Sequence, residues 1–113
     1  MPRFLALLAL LTFSSTTFAH ECVVLLHGLA RSSLSMNPMQ EALDEDGYVT
    51  ANIDYPSRDH EIAELALIAV GEGLEKCRAH DDLAKIHFVT HSLGGILVRQ
   101  YLSEHNIDEL GRV

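Results

Sequence analysis

Apolar residues along this chain fall into runs of two kinds, and the two kinds alternate. Cys22-Val23-Val24-Leu25-Leu26 is apolar without a break, the pattern of a strand buried on both faces of a parallel sheet. His27-Gly28 ends it, and a polar loop covers 30–35. A helical pattern follows, with Met36, Met39, Ala42 and Leu43 on one face and Glu41, Asp44, Glu45 and Asp46 on the other. Asn37 is expected as its N-cap, Pro38 at its first position and Gln40 three residues after the cap, with Gly47 as the left-handed stop. From Tyr48 to Asp54, Val49, Ala51 and Ile53 alternate with Thr50 and Asn52. That is a second strand, and Tyr55-Pro56-Ser57 breaks it.

Glu61 to Arg78 reads as a second helix, apolar along Ile62, Leu65, Ala66, Ile68 and Ala69 and acidic at Glu61, Glu64, Glu72 and Glu75. Gly71 and Gly73 each cost about 1 kcal/mol in a helix interior, so they mark either close packing on a sheet or fraying. Asp81-Asp82 form a turn, Ala84 to Thr90 a third strand, and Leu93 to Glu104 a third helix with Asn106 as its stop. Leu110-Gly111-Arg112-Val113 resembles the approach to a fourth strand. The order β-α-β-α-β-α predicts an α/β fold: a parallel sheet with right-handed crossovers and helices on both faces. A length of 113 residues admits one domain. There is no internal repeat, low-complexity stretch or linker.

The first nineteen residues stand apart from this alternation. Arg3 precedes an apolar run from Phe4 to Phe13, then Ser14-Ser15-Thr16-Thr17-Phe18-Ala19. A basic start, an apolar stretch and small residues before a cut after Ala19 predict a secretory signal peptide over 1–19 and an exported protein, periplasmic or secreted. Ten apolar residues span about 15 Å of helix against a hydrocarbon core of roughly 30 Å, which argues against a membrane anchor. His20-Glu21 before Cys22 argues against a lipoprotein. Of 8 Lys and Arg, removal of Arg3 leaves 7 against 16 Asp and Glu, a net charge of −9 on residues 20–113. So acidic a chain points away from nucleic acid and from anionic membrane surfaces. Export would allow Cys22 and Cys77 to form a disulfide; either could equally be an ordinary small buried residue.

Chemistry concentrates at Thr90-His91-Ser92-Leu93-Gly94-Gly95, where a strand pattern gives way to a helix pattern. A serine at such a corner, among small residues that relieve crowding, is how an exposed nucleophile is built. Ser92 is also a good N-cap for the helix that follows, and these residues alone do not separate the two roles. His27-Gly28-Leu29 tips the balance. It follows the first strand as Ser92 follows the third, and ligands in such sheets sit beyond the carboxyl ends of the strands. A backbone N–H just after the Gly28 turn and the Leu93 N–H at the helix start could together hold a developing oxyanion, helped by the positive end of the helix. His27 itself reads as a strand-end histidine satisfied by local hydrogen bonds rather than as a base. His87 and His91 are four apart on a strand-to-turn segment where that spacing does not converge, so no metal site is expected. Gly94-Gly95 lack the lysine and pattern of a phosphate loop, and no cofactor is implied.

Val23-Val24-Leu25-Leu26-His27-Gly28-Leu29, Asp54-Tyr55-Pro56 and Phe88-Val89-Thr90-His91-Ser92-Leu93-Gly94-Gly95 together resemble the alpha/beta-hydrolase superfamily, and within it the small exported bacterial lipases and esterases. The resemblance covers 22–113 and matches the N-terminal half of such an enzyme. It implies Ser92 as nucleophile, the backbone N–H groups of Leu29 and Leu93 as oxyanion hole, and a small-molecule or lipid ester as substrate. Thr90 stands where the Gly-x-Ser-x-Gly pattern has its first glycine, as in variants with another small residue there.

In the family the acid and histidine follow the serine, yet only 21 residues follow Ser92. His105 lies thirteen positions along the predicted helix, about 19 Å away. Asp108 and Glu109 share its problem of reach, His91 should point away from the serine, and His60 and His87 have no evident route to it. The expectation is therefore a partial hydrolase fold, 20–113, of three strands and three helices, truncated before the fourth strand and without its triad acid and histidine. A non-catalytic hydrolase-fold protein or binding module is the alternative, and an acyltransferase a third reading. With Ala84 to Thr90 unpaired on one side, self-association through the open edge is expected.

Overall fold

The computed structural model describes residues 19–113; the expected signal peptide, apart from Ala19, lies outside them. Three parallel strands form the sheet: β1 (His20–Leu26), β2 (Val49–Ile53) and β3 (Leu83–Thr90), in the order β2-β1-β3. The unbroken apolar run becomes the central strand, since only a strand covered on both faces can bury every side chain. Cys22 to Leu26 are all buried. Leu26 pairs with Ile53 on one side and with Thr90 on the other, so all three strands end level. Their exit loops therefore meet along one edge.

The helices are α1 (Asn37–Glu45), α2 (Ile62–Arg78) and α3 (Leu93–Glu104). α2 and α3 cover one face with Leu65, Val70, Leu74, Leu97 and Val98 packed on Val24, Leu26, Ile53 and Ile86. The other face carries a smaller cluster, Val23, Leu25 and Met36, with Leu43 of α1 and Tyr48 against it. Gly73 lets α2 lie on β1, because a Cβ there would stand 2.5 Å from Val24 Cγ1. Gly71 meets nothing within 4 Å, so the two helix glycines have different meanings. Cys22 and Cys77 form a disulfide between β1 and the end of α2, both fully buried. Closing a loop of that separation, 55 residues, is worth about 4 kcal/mol by the chain-entropy account.

Two local expectations are corrected. Asn37 and Gln40 do not cap α1. A 3-10 turn, Ser33–Met36, runs straight into the helix, so Met36 takes the cap position without a side-chain bond. Asn37 and Gln40 instead accept hydrogen bonds from Asn52 of β2. The second correction concerns the outer edge of β3, expected to be bare. Ile86 N–H donates to Glu109 O (2.9 Å), Gly111 N–H to Ile86 O (2.8 Å) and Phe88 N–H to Arg112 O (2.9 Å). The segment 109–112 thus lies parallel along Ile86 to Phe88, drawn in by burial of Ile107. Arg78 at the end of α2 donates twice to the Glu109 carboxylate, at 2.8 and 3.0 Å, which holds that carboxyl below its ordinary range.

Candidate active site

The site is made by two strand exits and braced by a third. At the exit of β3, Ser92 is the residue that turns the chain, with φ 52° and ψ −114°. A non-glycine residue with positive φ is strained, and this one sits where strand becomes helix. The corner is held by backbone bonds: His91 N–H to Leu26 O (3.1 Å), Gly94 N–H to His91 O (3.1 Å) and Gly95 N–H to Ser92 O (3.0 Å). Gly94 is required by contact, since a Cβ there would lie 2.5 Å from Leu26 O and 2.9 Å from Leu26 Cβ. Ser92 is exposed and its side chain makes no cap bond to α3. The N-cap role, which needs such a bond, is therefore not what this serine does. Leu93 is the first residue of α3, and an amide at that position has no intrahelical acceptor.

At the exit of β1 the bracing comes from side chains. His27 is fully buried and its Nδ1 bonds Gly28 O at 2.8 Å. Arg31 N–H donates to the same carbonyl at 3.1 Å. His27 Nε2 accepts from the Tyr55 amide at 3.3 Å, which fixes the proton on Nδ1. The Tyr55 ring stacks on the imidazole at 4.1 Å, and its hydroxyl donates to His27 O. Burial of that phenol pushes its pKa up to about 12. His27 thus has every polar position engaged, as a strand-end structural histidine should. Gly28 touches the other corner: a Cβ on it would stand 2.6 Å from His91 Nδ1. The turn carrying Leu29 therefore abuts the elbow carrying Ser92 and Leu93. No backbone carbonyl among the described residues accepts from the Leu29 amide.

The exit of β2 ties onto the first turn. Ser57 Oγ accepts from Ala30 N–H at 2.9 Å and Asp54 Oδ1 from Ser33 N–H at 3.1 Å. The sequence does not disclose these braces: Tyr55-Pro56-Ser57 reads there as a strand breaker, and Asp54-Tyr55-Pro56 as part of a family resemblance, with no partner assigned to either. Nothing local in a sequence marks a bond between residues 27 apart.

The remaining histidines lie elsewhere. His60 pairs with Glu64 (3.1 Å) at the start of α2, and His105 packs on Tyr101 (4.7 Å) at the end of α3. His87 bonds Glu21 Oε1 (3.1 Å) and accepts from Arg112 N–H (2.9 Å). No hydrogen bond joins Ser92 to a histidine or carboxylate among the described residues. Nor do three His, Cys, Asp or Glu side chains there come together as metal ligands. Beside the elbow a groove of 490 Å³ runs between the 3-10 turn and the end of β3, lined by Met36, Pro38, Met39, Val89, Thr90 and His91 among others.

A level parallel sheet, a strained serine between strand and helix, and the Gly28 turn abutting it form the frame of a known architecture. The family model of the alpha/beta hydrolase fold matches residues 21–110. The chain belongs to the alpha/beta hydrolase fold family. No curated protein and no solved structure gives a significant match to it. Family membership accounts for the β2-β1-β3 order and for the elbow as parts of one hydrolase-fold design.

Proposed function

We propose that this hydrolase-fold chain carries the nucleophile half of an exported serine carboxylic-ester hydrolase of the lipase or esterase type. Ser92 Oγ attacks the ester carbonyl carbon, and the carbonyl oxygen takes the negative charge between the N–H groups of Leu29 and Leu93. Collapse breaks the bond to the alcohol oxygen, which leaves with the proton given up by Ser92. Water then attacks the acyl-serine and releases the acid. The proton is carried by a base supplied from outside residues 19–113, since none of the described histidines meets Ser92. The apolar part of the ester would lie in the groove of Met36, Met39 and Val89.

One observation carries this reading: Ser92 is exposed and held at φ 52°, ψ −114°. Strain of this kind has a use when it presents a side chain that an unstrained turn would hide. Export is supported by the N-terminal pattern and by the buried Cys22–Cys77 disulfide. The competing reading, a non-catalytic binding protein on the same fold, is favoured by the lack of a hydrogen bond from Ser92 to any histidine or carboxylate among the described residues.

The test is phosphonylation by a fluorophosphonate in the presence of free imidazole, read by intact mass on the full chain beside Ser92→Ala. Imidazole stands in for the base that the described residues do not bring to the elbow. The expected result is a single adduct whose rate rises with imidazole and which the Ser92→Ala variant never forms. A folded sample that stays unlabelled would sink the esterase reading and leave the binding protein.

A further inference from the structure

A peptide unit is planar and trans, so its N–H points opposite to its C=O; fixing one end of the plane aims the other. Two such planes flank Leu29. In the first, Gly28 C=O is gripped by His27 Nδ1 and by Arg31 N–H, which leaves the Leu29 N–H directed away from that grip. In the second, the Ala30 N–H is gripped by Ser57 Oγ at 2.9 Å. Ala30, whose N–H closes the second plane, has φ 61°, a left-handed conformation uncommon for a non-glycine residue. Ser57 is 8 % exposed, and it reaches Ala30 across a cleft of 250 Å³ that otherwise parts the two loops.

From this we infer that Ser57 is a positioning residue of the oxyanion-binding turn. Its hydroxyl pins the Leu29–Ala30 plane as His27 pins the Gly28–Leu29 plane, and the Leu29 amide keeps its aim only while both hold. The inference rests on the reading of Ser92 as nucleophile. Ser57 touches neither substrate nor Ser92; it acts through Ala30. The structural alternative is that the bond merely closes the cleft. The two differ in what the hydroxyl changes: the rate at Ser92, or only the local order of the loop.

The experiment compares the full chain with Ser57→Ala and Ser57→Thr, using the imidazole-assisted phosphonylation rate, amide hydrogen exchange at Ala30 and the thermal melt. In Ser57→Ala, Ala30 exchange should rise about fivefold, the worth of one ordinary hydrogen bond. Labelling should slow about tenfold to a hundredfold, as when an oxyanion donor is misplaced, with the melt close to the parent's. Ser57→Thr keeps the hydroxyl and should restore both readings. Full-rate labelling of Ser57→Ala overturns the inference even if exchange rises, because Ser57 then only orders the loop. Slow labelling shared by Ser57→Thr overturns it as well, since the hydroxyl is then not the cause. A parent that imidazole cannot make reactive removes the esterase reading itself, and this inference with it. A labelled parent beside an equally labelled Ser57→Ala strikes the inference alone.

Discussion

The two corners that meet at the site are held by opposite means. The exit of β1 is a loop that other side chains hold still: His27 from within, Tyr55, Ser57 and Asp54 from the exit of β2. The exit of β3 uses backbone bonds, the close approach of Gly94 to Leu26 and a serine at strained dihedrals. A loop amide has no helix to orient it and has to be aimed by neighbours. A helix-start amide is aimed by the helix itself, provided the helix can begin right at the strand. Damage to the first corner can thus come from residues remote in sequence, whereas damage to the second comes from adding an atom on the spot.

The largest expected effect is at the second corner. Gly94→Ala would drive a Cβ against Leu26 O and Leu26 Cβ, backbone and stem that cannot swing aside. A destabilisation of about 3 kcal/mol is expected, the upper part of the range for overpacking, read in urea or thermal melts. Gly71→Ala is the control, because nothing lies within 4 Å of that position. It should be neutral or gain up to about 1 kcal/mol of helix propensity. Equal losses in both would break the comparison, showing that the Gly94 contact yields.

Ser92→Gly sharpens it next. Releasing φ 52° recovers strain of about 2 kcal/mol, while glycine gives back about 0.7 kcal/mol through the entropy of the unfolded chain. The variant should be more stable than the parent by about 1.3 kcal/mol while losing all labelling. Ser92→Ala should lose labelling without the gain in stability. If the glycine variant is no more stable, the elbow is not strained and the claim for this corner fails.

The sequence discloses the second corner far better than the first, for a physical reason. Elbow, strand and helix are contiguous, so periodicity and small residues mark them; α3 runs from Leu93 to Glu104 as its pattern predicts. The same holds for β1, whose unbroken apolar run follows from central placement. The first corner depends on contacts between loops 21 to 28 residues apart, and no local pattern encodes them. Sequence spacing does not decide the Cys22–Cys77 disulfide for the same reason, because pairing is a matter of distance. The α1 cap failed differently: Asn37 and Gln40 have the right types, but a 3-10 turn occupied the entry and β2 claimed their side chains. The sequence also shows Leu110 to Val113 nearing a strand, but not that 109–112 already lies on β3.

Tyr55→Phe probes the first corner with the smallest change. It removes one hydroxyl and leaves His27 O, buried, without its donor. At neutral pH the loss should be about 1 kcal/mol, with the stacking on His27 retained. Alkaline pH should then reverse the order of the two proteins. The folded pKa of Tyr55 is raised by burial to about 12, above the ordinary value near 10 that the unfolded chain shows. Stability tied to the protonated phenol is fully present below pH 10 and drains away as pH climbs toward 12, because the unfolded state releases the proton first. Phenylalanine has no such proton to lose. Every other group is common to both proteins and cancels in the difference. The gap in unfolding free energy, parent minus variant, should stay flat up to about pH 10, then shrink and change sign. A gap that stays constant through pH 12 would mean that the phenol is open to water. The brace on His27 would then be looser than the stacked, buried arrangement requires, and the contrast between the corners would narrow to the elbow alone.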